Sequence, residues 1–329
     1  MTAAGSPAPI DVVFVLLPGS LVLDWAGPAE ALRSANAQLA AQGLAPRFRL
    51  RFVGAQRQAA SSVGALIGGL ERLPRRFDAP TWLVLVGQPG QRVVLDSEPA
   101  RAALHWLRGQ RLAEGRLELL CICAGAVLAA HAGQLAGRRA TTHHHHLDEL
   151  GAAEPTCQVQ ANRVFVHDGP VWSSAGVTCG IDLTLHRIAG VCGAPVAAQV
   201  AQALVVALRR GPDDPEMSPF LQYRNHLHPA VHRVQDALAQ APQNDWTLPR
   251  MAAVAHTSPR HLSRLFAEHA GTSPHEYLRS IRLDLARLAL STGRTVSQAA
   301  ELAGFSSDTQ LRRAWRASGW PGAPSQAGA

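Results

Sequence analysis

The segment Leu119-Leu-Cys-Ile-Cys-Ala-Gly-Ala126 has the form of an apolar strand, a turn bearing a cysteine and a helix of small residues. This is the layout of a nucleophile elbow, with Cys123 at the turn. A sulfur at the start of a helix meets the positive end of the backbone dipoles, which favours thiolate. An acid upstream, Asp24, and an imidazole downstream, His143, can complete a polar pocket around it. The competing reading makes Cys123 a small buried side chain and His143 a loop residue. His143–His146 is a run of four imidazoles, which are good zinc ligands. Consecutive histidines cannot all face one ion in regular structure, and no Cys or acid partner is evident, so no metal and no cofactor are expected. Cys121-x-Cys123 is strained geometry for a disulfide. Oxidation of Cys123 to a sulfenic acid is the redox chemistry the residue offers.

A second chemistry lies in the last third of the chain, where one helix-turn-helix pattern occurs twice. The first copy runs from Met251 to Phe266 and is followed by Gly271; the second runs from Ala299 to Trp315 and is followed by Gly319. Ala252 and Ala300, like Ser258 and Ser306, are 48 apart, whereas Leu262 and Leu311, like Phe266 and Trp315, are 49 apart, so the second turn has one extra residue. Ser258-Pro259 suits a helix start, with Ser as cap and Pro at the first position. Leu262, Leu265 and Phe266 form a core stripe. Arg260, His261, Ser263 and Arg264 fall on the other side, near the helix N-terminus, where a recognition helix meets base edges. In the second copy Ser306, Ser307 or Asp308 can cap, and Thr309, Gln310, Arg312, Arg313 and Arg316 are the candidates for DNA contact. Arg pairs with guanine or phosphate and Gln with adenine. A solvated basic face on a small bundle is the alternative; two copies in register, with caps and glycine stops, weigh against it. Between them, Ser273-Pro274 starts a long helix whose Leu278, Ile281, Leu285 and Leu288 share a face.

These groups need scaffolds. The chain has 329 residues, enough for two cores, and 47% hydrophobic with 17% charged residues is ordinary for a globular protein. The net charge is +7, and all 31 basic residues are Arg, which suits phosphate and guanine contacts. Five cysteines without a framework suggest reduced thiols in the cytoplasm, and Val12–Leu17 is too short for a signal peptide or a membrane span. Strands are expected at 11–17, 47–54, 81–86, 117–122, 164–167 and 171–174. Helices are expected at 28–39, 101–108, 124–132 and 178–191. Their alternation argues for a parallel α/β sandwich. Arg209–Pro219 is Pro-rich and charged and reads as a linker, after which everything reads helical.

Residues 229–320 resemble the AraC/XylS family of bacterial transcription regulators. The resemblance is carried by Ser258-x-Arg-x-Leu-x-Arg-x-Phe266, Gly271-Thr-Ser-Pro274, Tyr277-Leu278, Ile281-Arg-Leu283, Ala286-Arg287, Ala299-Ala300, Gly304-Phe305 and Arg313-x-Trp315. It implies that each repeat places one helix in successive major-groove faces. Leu311 stands where the family usually has an aromatic, and Gly319–Ser325 lacks the usual final Tyr-Arg. Residues 10–195 are similar to the DJ-1/PfpI, class I glutamine amidotransferase-like superfamily. Here the carriers are Pro18-Gly19, Asp24-x-Ala-Gly-Pro28, Val86-Gly87, Cys123-Ala-Gly125, Ala132-Gly133, Leu135-x-Gly137, Thr141-Thr-His143, Asp168-Gly169, Ser174-Ala-Gly-Val177 and Gly180-x-Asp182. Cys123 falls on the elbow cysteine, Asp24 on an acid close to it and His143 on a pocket histidine. Ala124 stands where the family's hydrolases often have His, so a protease pair is not supported.

Together these imply a flavodoxin-like parallel-sheet sandwich of the DJ-1/PfpI type followed by an all-α domain with two helix-turn-helix units. The expected organisation is a ligand-sensing domain at 1–208, a linker at 209–228 and a DNA-binding domain at 229–329. The expected function is sequence-specific transcription regulation by a cytoplasmic homodimer that binds double-stranded promoter DNA and touches no membrane. Control would come from a small nitrogenous metabolite, in the subfamily often betaine, carnitine or arginine, bound near Asp24, Gly87, Cys123 and His143. The rival expectations are a cysteine-dependent hydrolase, hydratase or deglycase, and a cysteine oxidant sensor.

Overall fold

The computed structural model describes residues 8–206, 210–212, 214–224, 226–318, 320 and 322–326. It divides into two units, 1–216 and 217–329. Arg209 at the start of the expected linker and the expected glycine stop at Gly319 lie outside the described residues.

In the first unit seven strands form one sheet: β1 (Ile10–Val15), β2 (Phe48–Gly54), β3 (Glu71–Arg72), β4 (Thr81–Leu85), β5 (Leu117–Ile122), β6 (Phe165–Asp168) and β7 (Val171–Ser174). Their order is β6-β7-β5-β4-β1-β2-β3, and every pairing is parallel except the β6–β7 hairpin. Six helices accompany the sheet: α1 (Val22–Ala41), α2 (Glu98–Arg108), α3 (Gly125–His131), α4 (Leu147–Ala153), α5 (Thr178–Cys192) and α6 (Ala194–Ala203). Alternate side chains feed opposite cores. Val12, Phe14, Leu120 and Ile122 pack with α1, α5 and α6. Val13, Val15, Leu119 and Cys121 pack with α2, α3 and α4. Both faces being covered, β1, β4 and β5 are buried along their whole length, which is why they read as largely apolar runs, interrupted only by Asp11, Thr81 and Glu118.

Chain direction across the sheet reverses between β1 and β4, the place where such folds open a crevice beyond the carboxyl ends of their strands. The connections leaving β1, β4, β5 and β7 carry Asp24, Gly87, Cys123 and Gly176 in turn.

Several elements differ from expectation; α4 and the short strand β3 are not among those expected. Helix α1 begins at Val22 rather than Pro28, so Asp24 lies in its first turn; Pro28 is inside the helix, where its ring nitrogen cannot donate to the Asp24 carbonyl. Helix α6 lies beyond the expected helices; Pro195 occupies its first turn, the helical position that tolerates proline. Residues 210–216, within the stretch read as linker, belong to the first unit. Arg210 Nε donates to Asp182 Oδ2 (2.9 Å), and Val164 N donates to the Asp214 carbonyl (3.0 Å).

The second unit is helical: α7 (Pro219–Gln222), α8 (Pro229–Gln240), α9 (Leu248–Val254), α10 (Pro259–Ala270), α11 (Pro274–Ser291), α12 (Val296–Ala303) and α13 (Asp308–Ala317). It holds two cores. Leu262, Phe266 and Met251 share one with Tyr277, Leu278 and Ile281; Leu311, Trp315 and Ala300 share the other with Leu283, Ala286 and Leu290. Helix α11 therefore joins both bundles and changes its buried face midway, with Leu285 packed against each. Leu288, expected on the common face, is exposed.

Side-chain caps start α9 (Thr247), α10 (Ser258), α11 (Ser273), α12 (Thr295, in a capping box with Gln298) and α13 (Ser307). The two turns preserve the repeat. His256 and Gly304, 48 apart, both take left-handed backbone, with φ +55° and +80°. The caps Ser258 and Ser307 are 49 apart, so the extra residue lies between the left-handed residue and the cap. His256 carries a side chain where its counterpart is glycine. Replacing it by glycine should stabilise the second unit by about 1 kcal/mol, since left-handed backbone costs L-residues roughly that much. Chemical denaturation of wild type and His256→Gly checks this, and a less stable variant would refute it.

Candidate functional site

The elbow forms as its sequence predicts. Cys123 takes φ +56° between β5 and α3. Its amide donates to the Ser174 carbonyl (3.0 Å), and its carbonyl accepts from the Thr142 hydroxyl (2.8 Å). Two glycines make room for it. A Cβ on Gly176 would lie 2.3 Å from the Cys123 Cβ, and one on Gly87 would lie 2.9 Å from both the Cys123 Cβ and Asp24 Oδ2. Asp24 is fully buried; Oδ2 accepts from Gly87 N (3.0 Å) and Oδ1 from Val177 N (2.8 Å), and the Cys123 thiol donates to the same carboxyl. Asp24, Gly87 and Cys123 thus form one nest, and the Asp24 oxygens serve the fold around the cysteine rather than an open surface.

Burial and charge around the elbow work against the thiolate expectation. Burial pushes the Cys123 thiol far above its ordinary range, and the negative charge of Asp24 pushes it further; the Ala124 amide pulls the other way and loses. Burial also raises Asp24, more than its backbone hydrogen bonds lower it. Cys179 is pushed up to about 11 by burial, whereas Cys192 is the one cysteine of the five that is not buried. Alkylation near neutral pH should therefore label Cys192 first and Cys123 slowly, with the Cys123 rate still climbing as pH rises through the alkaline range, because only the thiolate reacts. Mass spectrometry of iodoacetamide adducts with time decides it; preferential labelling of Cys123 would restore the nucleophile reading.

His143 follows Thr142, which is tied to the elbow carbonyl. It is half-buried, and burial, with three neighbouring imidazoles, pulls it down to about 4, so the ring is neutral at physiological pH. His143 has extended backbone immediately before a 3₁₀ turn at His144–His146. In consequence the rings of His143, His144 and His145 converge, which three of the four can do because this stretch departs from regular structure. Sequence reasoning missed Glu216. It lies in the stretch read as linker, yet Oε1 sits 2.7 Å from His144 Nδ1, and its charge reaches the Cys123 thiol. A lone acid in a Pro-rich stretch carries no signal that would have found it.

In the second unit the candidate residues occupy corresponding positions. Arg260, His261, Ser263 and Arg264 of α10 match Thr309, Gln310, Arg312 and Arg313 of α13, each pair 49 apart. Arg260, Arg264, Thr309, Arg312, Arg313 and Arg316 are exposed. Several members are partly engaged: Ser263 Oγ donates to the Pro259 carbonyl (3.1 Å), Arg264 Nη2 lies 3.1 Å from His261 Nδ1, Gln310 Oε1 accepts from Ser306 N (2.7 Å), and Arg316 Nε donates to the Arg312 carbonyl (3.4 Å). Gln310 and Arg313 border a groove of about 460 Å³ that Arg279 and Arg282 also line. Among the described residues no helix is long and apolar enough to cross a membrane.

The family profile described as "Helix-turn-helix domain" matches residues 251–318, which span both motifs. The HTH-type transcriptional regulator CdhR of Pseudomonas aeruginosa is 30% identical over 312 residues, covering 93% of this chain and 88% of that protein. GlxA of Rhizobium meliloti, also an HTH-type transcriptional regulator, is 30% identical over 304 residues, covering 92% and 91%. Among solved structures, an AraC family transcriptional regulator from Pseudomonas putida superposes with a TM-score of 0.51 at 20% identity, covering 60% of this chain and all of that one, a likeness of fold. With two tandem motifs matched and the likeness to named regulators running almost end to end, the chain belongs to the AraC family of helix-turn-helix transcription regulators.

Proposed function

We propose that this regulator answers to a small nitrogenous metabolite bound at the elbow of the first unit, and that it acts as a cytoplasmic homodimer on promoter DNA without enzymatic turnover. The observation that carries the reading is convergence: the connections after β1, β4, β5 and β7 all deliver polar or backbone groups to Cys123 at the switch point of the sheet. A protonated, enclosed thiol supports recognition over nucleophilic attack. On this reading His143 faces the metabolite as a neutral imidazole, while Asp24 and Gly87 hold the cysteine. The second unit reads bases through Arg260, His261, Ser263 and Arg264 on α10 and Thr309, Gln310, Arg312, Arg313 and Arg316 on α13.

The test is fluorescence anisotropy of the chain's own upstream DNA, with and without glycine betaine, carnitine and arginine. At least one nitrogenous compound should alter the affinity, and His143→Ala should blunt that response. Affinity should also fall steeply with salt, as phosphate contacts release counterions. Specific DNA binding that no such compound changes would sink effector control while leaving the DNA-binding assignment standing.

A further inference from the structure

The geometry points to a transition-metal site built from His143, His144 and His145, with Glu216 as the carboxylate that orients His144. One potential ligand atom from each of the three histidines lies within 4.8 Å of the other two. Ring centroids are 4.1 Å apart for His143–His144, 4.3 Å for His144–His145 and 5.0 Å for His143–His145. Adjacent residues achieve this because the backbone changes type between them: extended at His143, then turning at once into a tight 3₁₀ turn. The His143 ring folds back over that turn, where Nδ1 accepts a long 3.3 Å bond from His145 N, a contact weak enough to yield as the ring rotates onto an ion.

The second observation is independent of the first. Histidines that bind metals almost always donate their other ring N–H to a carboxylate or carbonyl, which fixes the tautomer and makes the ligating nitrogen more basic. Glu216, 72 residues away, provides such a partner: Oε1 is 2.7 Å from His144 Nδ1 and 3.3 Å from the His144 amide. That leaves His144 Nε2 for the ion. The Glu216 side chain is only 8% exposed, and its carbonyl accepts from Arg210 Nη1 (3.1 Å), so its position is imposed by residues other than the histidines.

The fourth histidine belongs to the fold. His146 is buried and its Nδ1 is held by Glu149 Oε2 (2.7 Å), whose other oxygen accepts from Val93 N (2.9 Å). The run thus divides into three convergent ligands and one structural ring, which an unstructured polyhistidine would not do. Three imidazoles suit Zn²⁺, Ni²⁺ or Cu²⁺, with a water or small anion completing a tetrahedral set. Ligand nitrogens on tetrahedral zinc stand about 3.3 Å apart, so ligand atoms that already lie within 4.8 Å of one another draw together by at most about 1.5 Å on binding. Because Glu216 closes the 210–216 segment tied by Arg210 to Asp182, metal binding would also fasten the last residue of the first unit.

The test uses full-length, tag-free protein. Zn²⁺ affinity and stoichiometry come from equilibrium dialysis, and Co²⁺ absorption reports tetrahedral geometry. Wild type should take up one equivalent and give the intense visible bands of tetrahedral Co²⁺. Glu216→Gln should weaken Zn²⁺ about 10- to 100-fold, the range for removing a ligand's hydrogen-bond partner, and His145→Ala, which removes a ligand itself, by at least as much. Far-UV circular dichroism verifies that each variant is folded; should Glu216→Gln fail to fold, exposed His145 remains the deciding position. Uptake that is loose and non-stoichiometric, or wild-type affinity in folded Glu216→Gln or in His145→Ala, overturns the site and leaves an adventitious histidine run.

Discussion

The double variant Arg264→Ala/Arg313→Ala binds the target promoter about a hundredfold or more weakly than wild type and discriminates little against scrambled DNA. Each arginine is exposed on a helix whose opposite face is locked into its own core: Leu265 and Phe266 under the first, Leu311 and Trp315 under the second. Losing one arginine contact to a base edge costs about 1–3 kcal/mol. The two helices sit in separate cores, so their losses should nearly add. On the proposed reading Arg316, one turn beyond Arg312, meets phosphate, and Arg316→Ala should weaken all sequences alike and shallow the salt dependence by roughly one counterion. Anisotropy titrations on specific and scrambled duplexes at several salt concentrations separate the two behaviours. Because neither arginine touches a core, melting temperatures should not move. Full affinity in the double variant would take base reading away from these faces.

Why these helices are legible in the chain is physical. A helix-turn-helix unit is a local object: cap, apolar stripe and left-handed stop lie within some twenty residues, and local rules set each of them. Ser258, Leu262, Phe266 and Gly271 announce one copy, and the second repeats them. What stays hidden depends on tertiary packing. Leu288 matches the apolar spacing of α11, yet that helix serves two bundles and turns its face between them. Ser307 rather than Ser306 caps α13, a choice between neighbours that spacing alone leaves open.

The elbow shows the same division. Its strand–Cys–helix pattern is local and readable, and the fold resemblance places Asp24 and Gly87 beside it. The charge state is not readable, because it turns on how completely Cys123 is enclosed and on an aspartate 99 positions earlier in the chain. Dipole reasoning alone favours thiolate; enclosure reverses it. Glu216 is the sharper case, since nothing near Pro215 marks a residue that reaches back 72 positions to His144.

Gly176→Ala should be severely damaging to the first unit, lowering its stability by about 4 kcal/mol. Two costs combine. Gly176 has φ +90°, a backbone conformation that L-residues adopt only under strain, worth roughly 1–3 kcal/mol. The new methyl would also stand 2.3 Å from the Cys123 Cβ and 2.8 Å from its Cα, so either the elbow or the Gly176 turn must move, an overpacking cost of roughly another 1–3 kcal/mol. Neither side gives way easily: Cys123 is tied to Ser174 and Thr142, and the next residue after the glycine, Val177, donates to Asp24. Cys123→Gly supplies the control. It removes the nearest clashing atom and suits the local φ of +56°, so the double variant should recover part of the loss. Recovery will be incomplete, since the new methyl still crowds the backbone of residue 123 and the strain at 176 persists. A double-mutant cycle by chemical denaturation measures the coupling. Unchanged stability in Gly176→Ala, or no rescue by Cys123→Gly, would mean that the elbow is looser than this packing requires, and the enclosure that keeps the Cys123 thiol protonated would lose its basis.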